Sequence, residues 1–394
     1  MKPLSITAMS CVNALGSGVA ATLAALRARR GGLARCAFAD VTLETHVGMI
    51  ANLDAQPITG TLAAYDCRNN RLARAALDQD GFSTAVRAAR DRYGPARVAV
   101  VLGTSTSGIF ETEQAYARRD ASGRLPSDFR LRERHHLFAS ADFTRRILEL
   151  AGHTQMISTA CSSSAKAFAA AARLMHAGLC DAAVVGGVDS LCRNTLYGFA
   201  SLQLTAREPC RPCDRERAGI SLGEAAGFAL LERGPRAATD VALLGYGESS
   251  DAYHMSTPDP EGRGAMLAMQ RALASAGIGA RDVDYINMHG TATITNDAME
   301  DRAIARVFGR DTPASGTKGW TGHALGAAGI TEAIIAMLCI RHGFMPGCLN
   351  ARSVDPAFEA RILPDNVEAP VSRVLSNSFG FGGSNCSLVF GRVQ

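Results

Sequence analysis

Apolar residues along this chain fall into two rhythms. Short uninterrupted runs at Leu4–Met9, Arg97–Leu102, Ala182–Gly187, Phe228–Leu231, Val241–Glu248 and Tyr285–Met288 have the length and content of buried strands. Helical spacing fills much of the chain between them. Residues 19–30 form a first helix, and Arg68–Arg92 predicts one amphipathic helix with alanine and leucine inward and arginine outward. Ala167–Met175, Arg263–Ala276 and Asp297–Val307 read as further helices. Thr321–Ile340 passes from a glycine-rich loop into an apolar helix, and Asn377–Phe390 is a glycine-rich turn feeding a last strand. Residues 31–60 are mixed, with strand-like pieces around Val41–Ile50. Residues 109–150 and 196–214 are excursions over the core. Strands alternating with helices predict α/β layers with a largely parallel sheet.

The pattern also repeats. Val101-Leu102-Gly103-Thr104-Ser105-Thr106 is echoed by Met288-His289-Gly290-Thr291-Ala292-Thr293, each at a strand end. The loop and helix after Cys161 have a counterpart after His323. Ser221–Phe228 has one in Phe379–Ser384. Three echoes in one order predict two similar halves, 1–240 carrying Cys161 and 241–394 carrying the two histidines, joined near 235–250.

Composition narrows the picture without changing it. At 394 residues, with 47% apolar and 20% charged residues, the chain is long enough for a large core. A net charge of +4 with no basic tail speaks against nucleic acid. Eleven irregularly spaced cysteines suit free thiols in a reducing compartment better than a disulfide scaffold. No secretory signal and no charge-free membrane-length run stand out, so a cytoplasmic protein is expected. Cys210-Arg211-Pro212-Cys213 is a lone CxxC with no second pair at zinc-ribbon spacing.

Candidate chemistry begins at Ile157-Ser158-Thr159-Ala160-Cys161-Ser162-Ser163-Ser164-Ala165-Lys166. This reads as a strand end, a tight turn and a helix whose first turn carries Cys161. Unpaired N–H groups and the positive end of the helix dipole there favour a thiolate. His289 ends an apolar strand within His289-Gly290-Thr291-Ala292-Thr293. His323 lies in the small-residue loop Lys318–Gly329, with Glu332 two turns on and placed to pair with Lys318. A cysteine and two histidines at such junctions fit covalent catalysis on a thioester. The same three are zinc-ligand types, but metal-site spacing is absent and the thiol-helix context favours a nucleophile.

These motifs together resemble a β-ketoacyl-[acyl-carrier-protein] synthase of the thiolase-like superfamily, in the elongating Cys-His-His group. Further marks are Gly186-Gly187, Arg211–Gly219 and Asn377-Ser378-Phe379-Gly380-Phe381-Gly382-Gly383-Ser384-Asn385. The resemblance implies a five-layered α/β fold of two similar halves with mixed sheets and buried helices. It also implies a homodimer, or a heterodimer with a synthase-like subunit. The implied reaction is decarboxylative condensation of an acyl chain with malonyl units, both carried on the phosphopantetheine of an acyl carrier protein, with no separate cofactor and no metal. Cys161 would accept the acyl chain. His289 and His323 would hold the malonyl carbonyl, and Lys318 with Glu332 would fix the loop of the second histidine. The N–H groups of Cys161 and Phe381 would form an oxyanion hole worth about a hundredfold or more per donor, and Phe381 would gate malonyl entry. Asp297 and Glu300 would brace the first histidine motif. Thr291, Thr293 and Phe379 would contact substrate, Thr106 would limit the acyl pocket, and Arg207, Arg68, Arg71 and Arg74 would dock the acidic carrier.

Several positions depart from the common pattern: Lys166, Cys213, Ala218-Gly219-Ile220 and Asn296-Asp297. They leave the reaction standing and bring the chain closer to specialised synthases, including those for aryl polyenes and polyketides. Three alternatives compete. A coenzyme A-dependent thiolase needs a second cysteine before a glycine-rich turn, whereas Cys386 follows one. An initiating Cys-His-Asn synthase is disfavoured by the second histidine. A non-catalytic chain-length-factor-like subunit is disfavoured by the intact Cys161, His289, His323 and Lys318.

Overall fold

A computed structural model describes residues 1–234 and 241–392. The expected junction between halves falls partly on residues 235–240, which lie outside the described residues.

Ten strands carry the architecture. In the first half they are β1 (Leu4–Asn13), β2 (Val98–Gly103), β3 (Thr154–Ile157), β4 (Ala182–Asp189) and β5 (Ala225–Arg233). In the second they are β6 (Val241–Ser250), β7 (Tyr285–Met288), β8 (Pro313–Gly316), β9 (Arg373–Gly380) and β10 (Ser384–Arg392). The first five are ordered β1-β5-β4-β2-β3 and the second five β6-β10-β9-β7-β8, the same order in each half. The sense repeats as well. β1–β5 and β5–β4 are antiparallel while β4–β2 and β2–β3 are parallel; β6–β10, β10–β9, β9–β7 and β7–β8 follow suit. The sheets are therefore mixed, which corrects the largely parallel arrangement expected from strand–helix alternation. The halves touch edge to edge where β1 meets β6 at Leu4–Leu243 and Ser5–Ala242.

Burial explains the layers. β2 and β4 are buried along their whole length, as strands covered on both faces must be. Between the sheets lie α3 (Ser163–His176) and α6 (Ala328–His342), in the largest apolar cluster. Ala328–Ile340 is buried all round. The stretch Leu325–His342 has the length and hydropathy of a membrane span, yet 89% of it is buried in the fold and it contains Glu332. Gly329 faces α3 so closely that a Cβ would sit 2.6 Å from the Ala165 nitrogen. Outside the first sheet pack α1 (Arg68–Leu77) and α2 (Phe82–Tyr93). Outside the second pack α4 (Arg263–Ala276) and α5 (Ile294–Phe308). Helices, sheet, helices, sheet, helices make five layers.

The single helix expected over Arg68–Arg92 is two. Asp80 and Gly81 both take positive φ, which ends one helix and starts the next. Its arginines do not all face outward either. Arg68 is buried, with Nε and Nη2 on the two oxygens of buried Glu224 at 2.9 and 2.6 Å.

Candidate active site

Strand ends deliver the chemistry. Cys161 follows β3, His289 follows β7, Lys318 follows β8 and Phe381 follows β9, so all four meet at one edge of the layers. The elbow that presents Cys161 is held by its own hydroxyls. Ala160 sits at φ +52°, Ser163 Oγ donates to the Ala160 carbonyl at 2.6 Å, and Ser162 Oγ donates to the Thr159 carbonyl at 2.8 Å. The helix proper begins at Ser163, so Cys161 lies just before its first turn.

The two histidines are oriented by what faces their inner nitrogens. The Leu325 N–H donates to His323 Nδ1 at 3.1 Å, which leaves the hydrogen of the neutral ring on Nε2, 3.1 Å from Cys161 Sγ. The Lys318 ammonium lies 3.2 Å from His289 Nδ1 and also contacts the His289 carbonyl and Glu332 Oε1, so it braces the first histidine rather than, as expected, the loop of the second, and His289 too carries its hydrogen on Nε2. Burial and the nearby Lys318 charge hold both imidazoles well below their usual range, so both are neutral donors at neutral pH. Their rings meet at 5.4 Å, nearly perpendicular. Reactive atoms of Cys161, His289 and His323 lie within 4.8 Å of one another. A metal would need unprotonated Nε2 atoms and an acceptor behind each Nδ1. Here each Nδ1 faces a donor, and the trio is built to donate.

The thiol corrects one expectation. Burial pushes Cys161 up to about 11, although the Lys318 charge and the Phe381 N–H directed at the sulfur pull the other way. Desolvation outweighs the helix dipole, and the resting group is a thiol rather than the expected thiolate.

Supporting carboxylates hold the loops. Glu300 accepts the His289 and Gly290 N–H groups at 2.8 Å each and the Asn377 amide at 3.1 Å; burial raises its carboxyl to about 7. Asp297 accepts from the N–H groups of Cys213 at 2.9 Å and Ala292 at 3.1 Å. Glu332 is likewise raised to about 7 by burial, against the pull of Lys318.

Comparison with known proteins decides the family. Residues 69–237 match the beta-ketoacyl synthase N-terminal domain and residues 241–352 its C-terminal domain. The chain belongs to the beta-ketoacyl synthase family. It is 30% identical to 3-oxoacyl-[acyl-carrier-protein] synthase 2 of Vibrio cholerae, covering 98% of each chain. It is 39% identical over 255 residues to the mitochondrial 3-oxoacyl-[acyl-carrier-protein] synthase of Arabidopsis thaliana, spanning 60% of this chain and 55% of that one. Among solved structures it is similar to a chain of the complex of a ketosynthase with its chain length factor from Xenorhabdus doucetiae. That similarity has a TM-score of 0.91 and 39% identity, covering 100% of this chain and 98% of that one. The activity is that of the family, acyl transfer by condensation of thioesters.

A small cavity opens over the synthase triad, and Thr291, Thr293, Phe379 and Phe381 line it with Cys161, His289 and His323. Thr106 is not there. It is buried and spends its N–H and hydroxyl on Asp189 at 2.8 and 2.7 Å, so it does not limit the pocket. Asp189 itself escaped sequence reasoning. Fully buried at the end of β4, it also accepts from the Thr104 hydroxyl at 2.6 Å, the Ser105 N–H at 2.9 Å and the Gly326 N–H at 2.6 Å. It thereby ties the loop after β2 to the His323 loop of the other half. An aspartate closing a buried apolar strand was the available signal.

Three of the four docking arginines are engaged elsewhere. Arg68 is buried against Glu224, Arg71 pairs with Asp66 at 2.6 Å, and Arg74 pairs with Asp78 four residues on at 2.7 Å. Arg207 is exposed. Of the CxxC pair, Cys210 donates to the Lys318 carbonyl and Cys213 lies against Met288 sulfur; both are buried.

Proposed function

We propose that this synthase condenses an acyl thioester with a malonyl thioester, both carried on phosphopantetheine of an acyl carrier protein, using Cys161, His289 and His323 in separate roles. Cys161 Sγ attacks the acyl carbonyl, the carrier thiol leaves with the proton, and an acyl-cysteine remains. The oxyanion of that step faces the N–H groups of Cys161 and Phe381. The malonyl carbonyl then takes hydrogen bonds from His289 Nε2–H and His323 Nε2–H. Carbon dioxide leaves, and the electron pair it releases forms an enolate held by those donors. The enolate carbon attacks the acyl-cysteine, the tetrahedral intermediate collapses and expels the Cys161 thiolate, the β-ketoacyl carrier departs, and a proton from solvent regenerates the thiol. Lys318, held by Glu332, positions His289 by its ammonium at Nδ1. The observation that carries the reading is the convergence of two donating Nε2 atoms on one thiol, each with a donor fixed behind its ring.

Variants separate the two half-reactions. Cys161→Ala abolishes condensation yet keeps slow release of carbon dioxide from malonyl carrier. His323→Ala retains acylation of Cys161 and loses decarboxylation. The measurements are labelled carbon dioxide release beside intact-mass detection of the acyl enzyme. Should Cys161→Ala lose decarboxylation as completely as His323→Ala, the division of roles fails.

The rest of the reading extends from there. Lys166, Asn296 and Asp297 favour a specialised pathway, aryl polyene or polyketide elongation, over mainstream fatty acid synthesis. The Xenorhabdus doucetiae ketosynthase is solved with a chain length factor, which supports a dimer here, with a second copy or with a synthase-like subunit. Division into units 1–240 and 241–394 follows the repeated strand order. Eleven free cysteines suit the cytoplasm. A thiolase is disfavoured because Cys386 lies buried within β10 and outside the cavity.

A further inference from the structure

A buried carboxylate that takes no part in the chemistry stands between the two catalytic loops. Asp189 ends β4, a strand buried along its whole length, and is itself fully buried. Three backbone N–H groups point at it, from Ser105 at 2.9 Å, Thr106 at 2.8 Å and Gly326 at 2.6 Å, together with the hydroxyls of Thr104 and Thr106 at 2.6 and 2.7 Å. An N–H group cannot accept, so the carboxylate is held as the anion, although burial pushes it up. A buried charge in an apolar strand is costly unless its oxygens are satisfied. Here they are satisfied by loops rather than by the strand itself.

We propose that Asp189 is a positioning residue for the condensation, holding the turn of Cys161 and the loop of His323 in register. The inference rests on the roles proposed for those two residues. One path runs through Ser105. Its N–H lies on the carboxylate, and its Oγ donates to the Ala160 carbonyl at 3.2 Å. Ala160 is the residue at φ +52° that aims Cys161, so the turn is held from outside as well as by Ser163. The other path runs through Gly326. The N–H of Leu325, one residue earlier, is the donor that fixes His323 Nδ1, and Leu325 takes φ +50°. A shift of Gly326 therefore moves the group that orients the ring.

The pair that this arrangement serves has no local means of alignment. Cys161 and His323 come from different halves, 162 residues apart in sequence, yet Sγ and Nε2 lie 3.1 Å apart. The approach at Asp189 is equally close. A Cβ on Gly326 would sit 2.7 Å from Asp189 Oδ2 and 2.9 Å from the Ser105 nitrogen. The helices behind are tied by a separate bond, the Ile330 N–H on Ser164 Oγ at 2.9 Å. That bond lies within α3 and α6, past both reactive residues, and fixes the helices rather than the turns. A misplacement of about 1 Å at such a pair is enough to cost about a hundredfold in rate.

The test asks whether the carboxylate acts on turnover or on stability alone. Asp189→Asn turns an amide toward backbone N–H donors. It should lower the condensation kcat about tenfold to a hundredfold, with KM for acyl and malonyl carriers within about threefold. Rates are taken per active site, counted by intact mass of alkylated Cys161, at a temperature where each variant is folded. Both half-reactions should slow: acylation of Cys161 by rapid quench, and labelled carbon dioxide release from malonyl carrier. Ser105→Ala cuts the path to Ala160 and keeps the N–H on Asp189. It should slow acylation about threefold to tenfold and leave carbon dioxide release within about twofold. Val184→Ala, a truncation of a buried side chain in the same strand, also loses stability but should keep kcat within about twofold. If Val184→Ala slows turnover as much as Asp189→Asn, or if folded Asp189→Asn turns over as the parent does, the positioning role is overturned. Should Asp189→Asn not fold, Ser105→Ala decides, because unchanged acylation would break the path to the Cys161 turn. A parent that neither acylates Cys161 nor releases carbon dioxide fails the synthase reading itself. An active parent with unaffected variants removes only the role of Asp189.

Discussion

At the scale of single residues, the thiol is where sequence and structure part most usefully. The elbow motif placed Cys161 correctly beside a helix start, and from that position alone a thiolate follows. Burial is invisible in a motif, and it reverses the balance: the thiol is pushed up to about 11. The sign has a direct consequence. Below that value the thiolate fraction grows about tenfold per pH unit, so alkylation of Cys161 by iodoacetamide should accelerate steadily from pH 7 to pH 10. A rate already level at pH 7 would mean that the dipole and Lys318 win after all. The histidines were legible as a pair, but their tautomers were not, because these depend on Leu325 N–H and Lys318, residues brought to them by the fold. Asp189 was missed for the same reason, since its donors come from the loop after β2 and, in the other half of the chain, from Gly326. Asp189→Asn puts an amide where carboxylate oxygens accept buried N–H groups. It should lower stability by about 1–3 kcal/mol, measurable by urea unfolding. Unchanged stability would show these bonds to be replaceable.

At the scale of elements, periodicity found strands and helices well where one face or a whole run is apolar. Arg263–Ala276 and Tyr285–Met288 have the boundaries read from sequence. It failed at Asp80-Gly81, where backbone conformation rather than hydrophobicity ends a helix, and it carried no information on strand sense, so the mixed sheets were legible only through the family resemblance. The turn after β9 was legible as glycine-rich, and its geometry adds a division of labour. Gly382 and Gly383 take φ +79° and +73°, while Gly380 lies against the Cys161 elbow, where a Cβ would be 2.8 Å from the Thr159 carbonyl. The Phe381 ring rests on Phe199 at 5.6 Å and its N–H points to the sulfur. Gly380→Ala should push the turn away from the elbow and slow acylation of Cys161 by about tenfold to a hundredfold, the worth of one misplaced oxyanion donor. Phe381→Ala keeps the N–H and should spare acylation while slowing the malonyl step. Rapid-quench acylation and steady-state condensation separate the two. Equal damage to both steps in both variants would reduce the turn to packing.

At the scale of the whole molecule, the internal repeat was legible because three motifs recur in order, and the matching strand orders give it a physical form. Surface function was least legible. Helical spacing set Arg68, Arg71 and Arg74 on one polar face, but pairing consumes them. Arg207 lies close in sequence to Leu204 and Ile220, which line the cavity. Large apolar side chains stand exposed beside other lining residues: Leu202, Met255 and Ile294 at 54%, 78% and 66%. A carrier docking on this side of the cavity would meet exposed Arg207 together with apolar contacts, a surface on which charge steers and apolar burial holds. An exposed pair is worth up to about 1 kcal/mol, so Arg207→Glu should raise KM for an acyl carrier by about threefold to tenfold and leave kcat nearly unchanged. Raising the salt should weaken the parent by a similar factor and the variant by less, because the attraction it screens is already gone. Acyl-pantetheine, which has no carrier to dock, should be turned over equally by both proteins at every salt concentration. A parallel loss on acyl-pantetheine would place Arg207 in the site itself, and no loss with either substrate would move the docking surface away from this side of the cavity.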